Sequence, residues 1–157
     1  LLDIYLGAKC RYILGSDTGY LAVPGWNFRR PLVCVNFSQF EHIGPWLPSW
    51  LFSFKKYWLK SEKRFMKIKE ILTSGAGRFN FKNQYEKSGI ELINNTPEEI
   101  LQITDEMEKR LSGSWEDNEE DDNLQKKFWE HFKFSNLHGV IKSRIGAKFL
   151  RDNRNLL

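Results

Sequence analysis

The run RYILGSDTGYLAVPGW at residues 11–26 carries the residue types best suited to chemistry on an anionic ligand. Ser16, Asp17 and Thr18 stand between Gly15 and Gly19, after a short apolar run and before a segment that can start a helix. In open α/β sheets, ligands bind outside the carboxyl ends of the strands, where such turns lie. The free N–H groups of a first helical turn attract anions such as a diphosphate. Gly15 and Gly19 allow close backbone approach, and the hydroxyls of Ser16 and Thr18 add donors. The same residues also suit a purely structural end: Ser16 or Asp17 can cap the helix and satisfy its amides without any ligand. Spacing alone leaves both readings open. Neither GxGxxG nor GxxxxGK(S/T) occurs, which argues against a dinucleotide fingerprint and a P-loop.

Other candidates are scattered. Asn36 ends the run LVCVN, where it can bond a ligand at the sheet edge or simply close a strand. Glu41 and His42 follow in a loop containing Gly and Pro and are the candidates for a catalytic acid or base. His131 and His138 lack a carboxylate or second histidine at ligand spacing, so neither a metal nor another cofactor is expected. Cys10 and Cys34 read as reduced core thiols of a cytosolic protein. Arg144 can neutralise a phosphate, or pair with the acidic stretch 116–122.

These residues need a frame. Leu1, Ile4, Tyr5 and Ala8 have helical spacing, and Arg11 to Leu14 reads as a short strand. A helix from residue 20 must be shortened or bent by Pro24 and Gly25. PLVCVNF, continuously apolar and β-branched, reads as a strand covered on both faces of a parallel sheet, which completes a βαβ unit. Residues 38–54, with Pro45, Pro48 and many rings, read as loop at first. Their PWLPSWLF segment either packs beneath a loop or meets an acceptor or a membrane surface.

Phe65, Ile68, Ile71 and Leu72 predict a helix over 62–72, with the lysines of 55–69 as its solvated face, and 74–83 reads as irregular loop. Ile90–Ile93 is a candidate strand. Thr96, Pro97 and Glu99 form a capping box for a helix over 96–111, whose stripe is Ile100, Ile103, Met107 and Leu111. Leu124, Phe128, Trp129 and Phe132 predict another helix to about 133. A loop over 134–143 and a short helix in IGAKFLRD close the chain.

A chain of 157 residues makes one domain. Six Trp and twelve Phe imply large buried rings or a surface that grips a partner. The net charge of +4 is segregated: 55–69 is basic, 98–122 acidic, and the tail basic again. A nucleic-acid binder more often keeps one sign across a face, so no nucleic-acid partner is expected. Without a run of about eighteen apolar residues, nothing in the sequence reads as a transmembrane helix. The chain opens on Leu1 within an amphipathic pattern, and so reads as a fragment whose N-terminal half is missing.

ILGSDTG, followed by a short helix and RRPLVCVNF, resembles the donor-binding βαβ of GT-B glycosyltransferases, where D-(S/T)-G follows a strand. GSDTGYLAVPGWNFRRPLVCVN, NNTPEEILQITDEMEKRL, LQKKFW and RIGAKFLRDN together resemble a bacterial family of glycosyltransferases of surface-carbohydrate synthesis. The resemblance implies an α/β domain with a small Rossmann-like parallel sheet flanked by helices, the C-terminal donor-binding half of a GT-B enzyme, with 114–157 as a C-terminal helical extension. It implies that Ser16, Asp17, Thr18 and Gly19 line the donor pocket; Gly15 and Asn36, from their own positions, join them as donor-binding candidates.

The expected partners are a nucleotide-sugar donor and a carbohydrate or lipid-linked acceptor, with no obligatory metal. The expected location is cytoplasmic, with peripheral contact at the inner membrane face. The general base would lie in the missing half, leaving this piece inactive alone. Two alternatives remain open: a nucleotide-sugar epimerase of the same fold, and a non-enzymatic basic-aromatic module that binds membranes or nucleic acid.

Overall fold

A strand with no polar face must be covered on both sides, and LVCVNF meets that requirement inside a parallel sheet. The computed structural model describes residues 1–44, 46–132 and 140–157. The chain runs α1 (Leu2–Lys9), β1 (Ile13–Gly15), α2 (Gly19–Ala22), β2 (Leu32–Phe37), β3 (Trp50–Phe54), β4 (Lys56–Leu59) and β5 (Arg64–Phe65). It continues through α3 (Ile68–Thr73), α4 (Lys82–Lys87), β6 (Ile90–Ile93), α5 (Pro97–Ser112), α6 (Glu119–Glu130), β7 (Arg144–Ile145) and α7 (Ala147–Asp152). Strands β1, β2, β3 and β7 lie side by side in that order, all parallel. Strand β4 pairs antiparallel with β5 on one side and β6 on the other, making a small second sheet. The fold is α/β, with helices packed on the parallel sheet.

Alternation along the strands sorts the core. Val33, Val35 and Leu51 face Ile103 and Met107 of α5. Leu32, Cys34, Trp50, Phe52 and Phe54 join the larger cluster that holds Leu21 of α2 and Phe128 of α6. One extra residue interrupts β2: Cys34 pairs with Phe52 but Phe37 with Phe54, and Asn36 takes a left-handed φ of 55°. The bulge turns Phe37 back to the same face as Cys34. Phe54 and Phe128 stack at 5.4 Å and are each almost wholly buried. Burying a ring of this kind contributes about 1.5–3 kcal/mol.

The capping box at the start of α5 forms: the Glu99 amide donates to Thr96 Oγ1 at 3.2 Å and the Thr96 amide to the Glu99 carboxylate at 2.8 Å. Glu99 also accepts from Lys56 at 2.9 Å, which fastens the helix start to β4. Gly113 closes the helix in the left-handed conformation.

Several expectations need correction. Residues 50–54 are not loop but strand β3, buried at every position and flanked by two parallel partners. The helix expected over 62–72 begins only at Ile68, because Phe65 pairs across strands with Trp58, their rings 5.0 Å apart. The lysines of 55–69 are therefore spread over a hairpin and the start of α3 rather than one helical face. Part of the stretch read as loop at 74–83 is a 3-10 turn, Ala76–Arg78. The candidate strand at Ile90–Ile93 does form, as β6, and pairs antiparallel with β4. Residues 114–157 do more than add helices: β7 joins β3, and Phe128 sits in the main core. The expected loop at 134–143 falls largely outside the described residues, as does His138.

Candidate functional site

Strand β1 ends at Gly15, so Ser16, Asp17 and Thr18 cross the carboxyl edge of the parallel sheet before α2 begins. Thr18 is extended at φ −136°, and its carbonyl accepts the Leu21 amide at 3.0 Å. Among the described residues, no side chain of Ser16, Asp17 or Thr18 caps these amides, so the purely structural use of the turn is not what forms. Helix α2 has only four residues before it widens into a π-helical turn at Val23–Asn27, around Pro24. So short a helix has a small dipole, and individual amides must do the work expected of a helix terminus.

The two glycines have different reasons. A Cβ on Gly15 would lie 3.0 Å from Leu21, so its bareness lets α2 fold back onto β1. A Cβ on Gly19 would meet no atom within 4 Å, so space there is open.

In front of this turn lies a cavity of about 90 Å³, with room for several water-sized groups. Asp17, Thr18 and His42 contribute its polar lining, and buried Cys34, the rings of Trp26 and Trp50 and neighbouring apolar side chains the rest. Trp26 stacks on Trp50 at 6.3 Å and meets Trp46 edge-on at 5.3 Å. Trp50 is held by its indole N–H, which donates to the Arg30 carbonyl at 3.2 Å. Asp17 is solvent-accessible yet backed by this apolar wall, and partial desolvation raises its carboxyl above the ordinary carboxylate range; the charge of nearby His42 opposes the rise. Burial, and then the charge of Asp17, pushes the Cys34 thiol well up, so it stays protonated and is not a nucleophile.

The expected site residues thus separate. Gly15, Ser16, Asp17, Thr18 and Gly19 form one turn, and His42 joins it across the cavity. Asn36 does not. Its backbone N–H donates to Asn95 Oδ1 at 2.7 Å, its own Oδ1 accepts the Asn95 amide at 2.6 Å, and Asn95 Nδ2 donates to the Phe54 carbonyl at 2.8 Å. Glu41, expected as an acid or base, is buried and ion-paired with Arg78, which makes it a clamp for the 3-10 turn. His42 Nδ1 lies 3.3 Å from Gln39 Oε1, and Gln39 donates onward to Asn80 at 2.7 Å. Arg144 takes its acidic option, 2.8 Å from Asp122 and 3.5 Å from Asp117.

Sequence reasoning missed Trp26, Trp50 and Cys34 as lining. The alternation of LVCVNF could have put Cys34 on one face, but nothing local places two tryptophans in a stack. The four strands lie in chain order, so the turn sits on the edge strand rather than where strand order reverses. Among the described residues, no three His, Cys, Asp or Glu side chains converge as metal ligands, and no helix is long and apolar enough to cross a membrane. Comparison with family models, curated proteins and solved structures finds no match.

Proposed function

We propose that this domain binds a nucleotide-activated sugar at the 15–19 turn and serves glycosyl transfer to a carbohydrate or lipid-linked acceptor. One observation carries the reading: an uncapped polar turn at the carboxyl edge of a parallel sheet opens on an aromatic-walled cavity shared with His42. Free amides and the Thr18 hydroxyl suit an oxygen-rich anion. The exposed ring of Trp26, backed by buried Trp50, offers flat apolar surface to the C–H face of a sugar. Asp17, with its raised carboxyl, and His42 are positioned to exchange a proton with a hydroxyl. The reading places this domain as the donor half of a GT-B enzyme.

A thermal-shift screen against nucleotide sugars tests it. Ligand at a hundred times Kd stabilises the folded state by about 2.7 kcal/mol, which for a chain of this size raises Tm by roughly 5–10 °C. Asp17→Ala and Gly19→Val should fold, because neither side chain site is enclosed, and should lose the shift. The reading fails if no nucleotide sugar moves Tm, or if both variants keep the full response. Incubation with sugar donor but no acceptor separates transfer from epimerisation: a changed sugar in that tube is an epimerase product.

A further inference from the structure

Among the described residues, one half-buried cation stands without a partner. Lys56 reaches Glu99, Arg64 reaches Glu70, Arg110 reaches Glu106 and Arg151 reaches Asp121. Arg144 and Lys148 have Asp122 and Asp152, and Arg30 donates to the Cys10 carbonyl. Lys55, equally half-buried, has no carboxylate within ion-pairing distance. The remaining residues cannot supply one, since Pro45 and KFSNLHG (133–139) contain no Asp or Glu. Holding a cation partly out of water without a counter-charge is unfavourable. The arrangement makes sense if the anion arrives from outside.

Position strengthens the point. Lys55 directly follows β3, and its amide donates to the Phe37 carbonyl at 3.0 Å; Ser38 directly follows β2. Both stand at the same carboxyl edge as the Asp17 turn, and both line a groove of about 570 Å³ bounded by α4 and β6. That volume is in the range of small-molecule sites. Lys60 and Lys82 line it too, loosely paired with Glu91 at 3.6 Å and Glu86 at 3.4 Å, so these charges offset each other and Lys55 remains in excess. Asn80 lines the groove and connects through Gln39 to His42, two hydrogen bonds from the Asp17 cavity.

We propose that this groove seats a phosphoryl group of the substrate, with Lys55 as its charge partner. The proposal rests on the glycosyl-transfer reading for the source of the phosphate: either the diphosphate of the sugar donor or the phosphate of a lipid-linked acceptor. A four-residue α2 beside an acidic Asp17 is a poor sole holder of a diphosphate, whereas lysine is a common point-charge binder of phosphate.

The test titrates the 157-residue chain with inorganic pyrophosphate, followed by calorimetry and amide chemical shifts. Wild type should bind, with perturbations at Ser38, Lys55 and Asn80. Lys55→Met keeps the apolar stem and should lose about ten- to a hundredfold in affinity, with Tm unchanged or higher because an uncompensated charge is gone. The exposed Lys126→Met should bind as wild type. Displacement by uridine diphosphate assigns the groove to the donor, and displacement by farnesyl phosphate to the acceptor. Equal binding by Lys55→Met and wild type, perturbations confined to 15–19, or displacement by neither ester overturns the proposal. Nucleotide-sugar binding that survives Lys55→Met unchanged would sink the groove alone. Lys55-dependent pyrophosphate binding in a chain that ignores every nucleotide sugar would instead sink the transferase reading.

Discussion

Replacing Asn95 by alanine tests whether Asn36 is a hinge of the sheet or part of a ligand site. The Asn95 side chain accepts the Asn36 N–H and donates to the Phe54 carbonyl, so alanine orphans both groups at once. A buried polar group left unpaired costs about 1–3 kcal/mol. The Phe54 carbonyl lies in the core while Asn36 is half-buried, which places the sum near 3 kcal/mol, or roughly 6–12 °C in Tm. The companions are informative. Asn36→Gly keeps the left-handed φ of 55° and loses one acceptor, so about 1 kcal/mol is expected. Asn36→Ala adds the left-handed penalty, about 1–2 kcal/mol more. Urea unfolding at constant m, with calorimetry, measures all three. An Asn95→Ala melt within about 2 °C of wild type, or equal stability of Asn36→Gly and Asn36→Ala, would refute the bulge argument. Ligand binding should survive Asn36→Gly.

Arg151→Met strands the fully buried Asp121, leaving only Asn118 to bond it, and should cost about 3–5 kcal/mol by chemical denaturation; adding Asp121→Asn should recover part of that loss. Phe128→Ala empties the space among Phe54, Trp129 and Phe132, and a loss of about 3–5 kcal/mol is expected from the unfolding midpoint. Asp17 titrates above its unfolded value, so the folded state binds its proton more tightly, and stability falls as pH rises from the ordinary carboxyl value through the raised one. Asp17→Asn should therefore flatten that part of the pH–Tm curve and leave Tm near neutrality unchanged or higher, while abolishing nucleotide-sugar binding.

Elements with local signals were legible in the sequence. The capping box of Thr96 and Glu99 and the stripe of Ile103 and Met107 foretell α5 to within a residue. PLVCVNF foretells the doubly covered β2. The misreadings share a physical cause, in that pairing partners lie far away in sequence. Trp50–Phe54 resembles aromatic loop filler until β2 and β7 flank it, and Phe65 keeps helical spacing while its ring answers Trp58 across a hairpin. At the site, the 15–19 turn was legible because turn chemistry is local. Asn36 was not, since its fate depends on Asn95, fifty-nine residues away. Glu41 likewise depends on Arg78, and the isolation of Lys55 emerges only once the other half-buried cations have been given their partners.

The last strand of the parallel sheet comes from nearly the end of the chain. Roughly ninety residues separate Phe54 from Arg144, and a ribosome adding about 5–20 residues per second needs about 5–18 seconds to span them. Throughout that interval one flank of WLFSF is an open template for foreign backbone. A nascent chain stalled before Arg144 would expose a strand that is buried at every position in the finished fold, so β7 acts as the domain's own guard against aggregation.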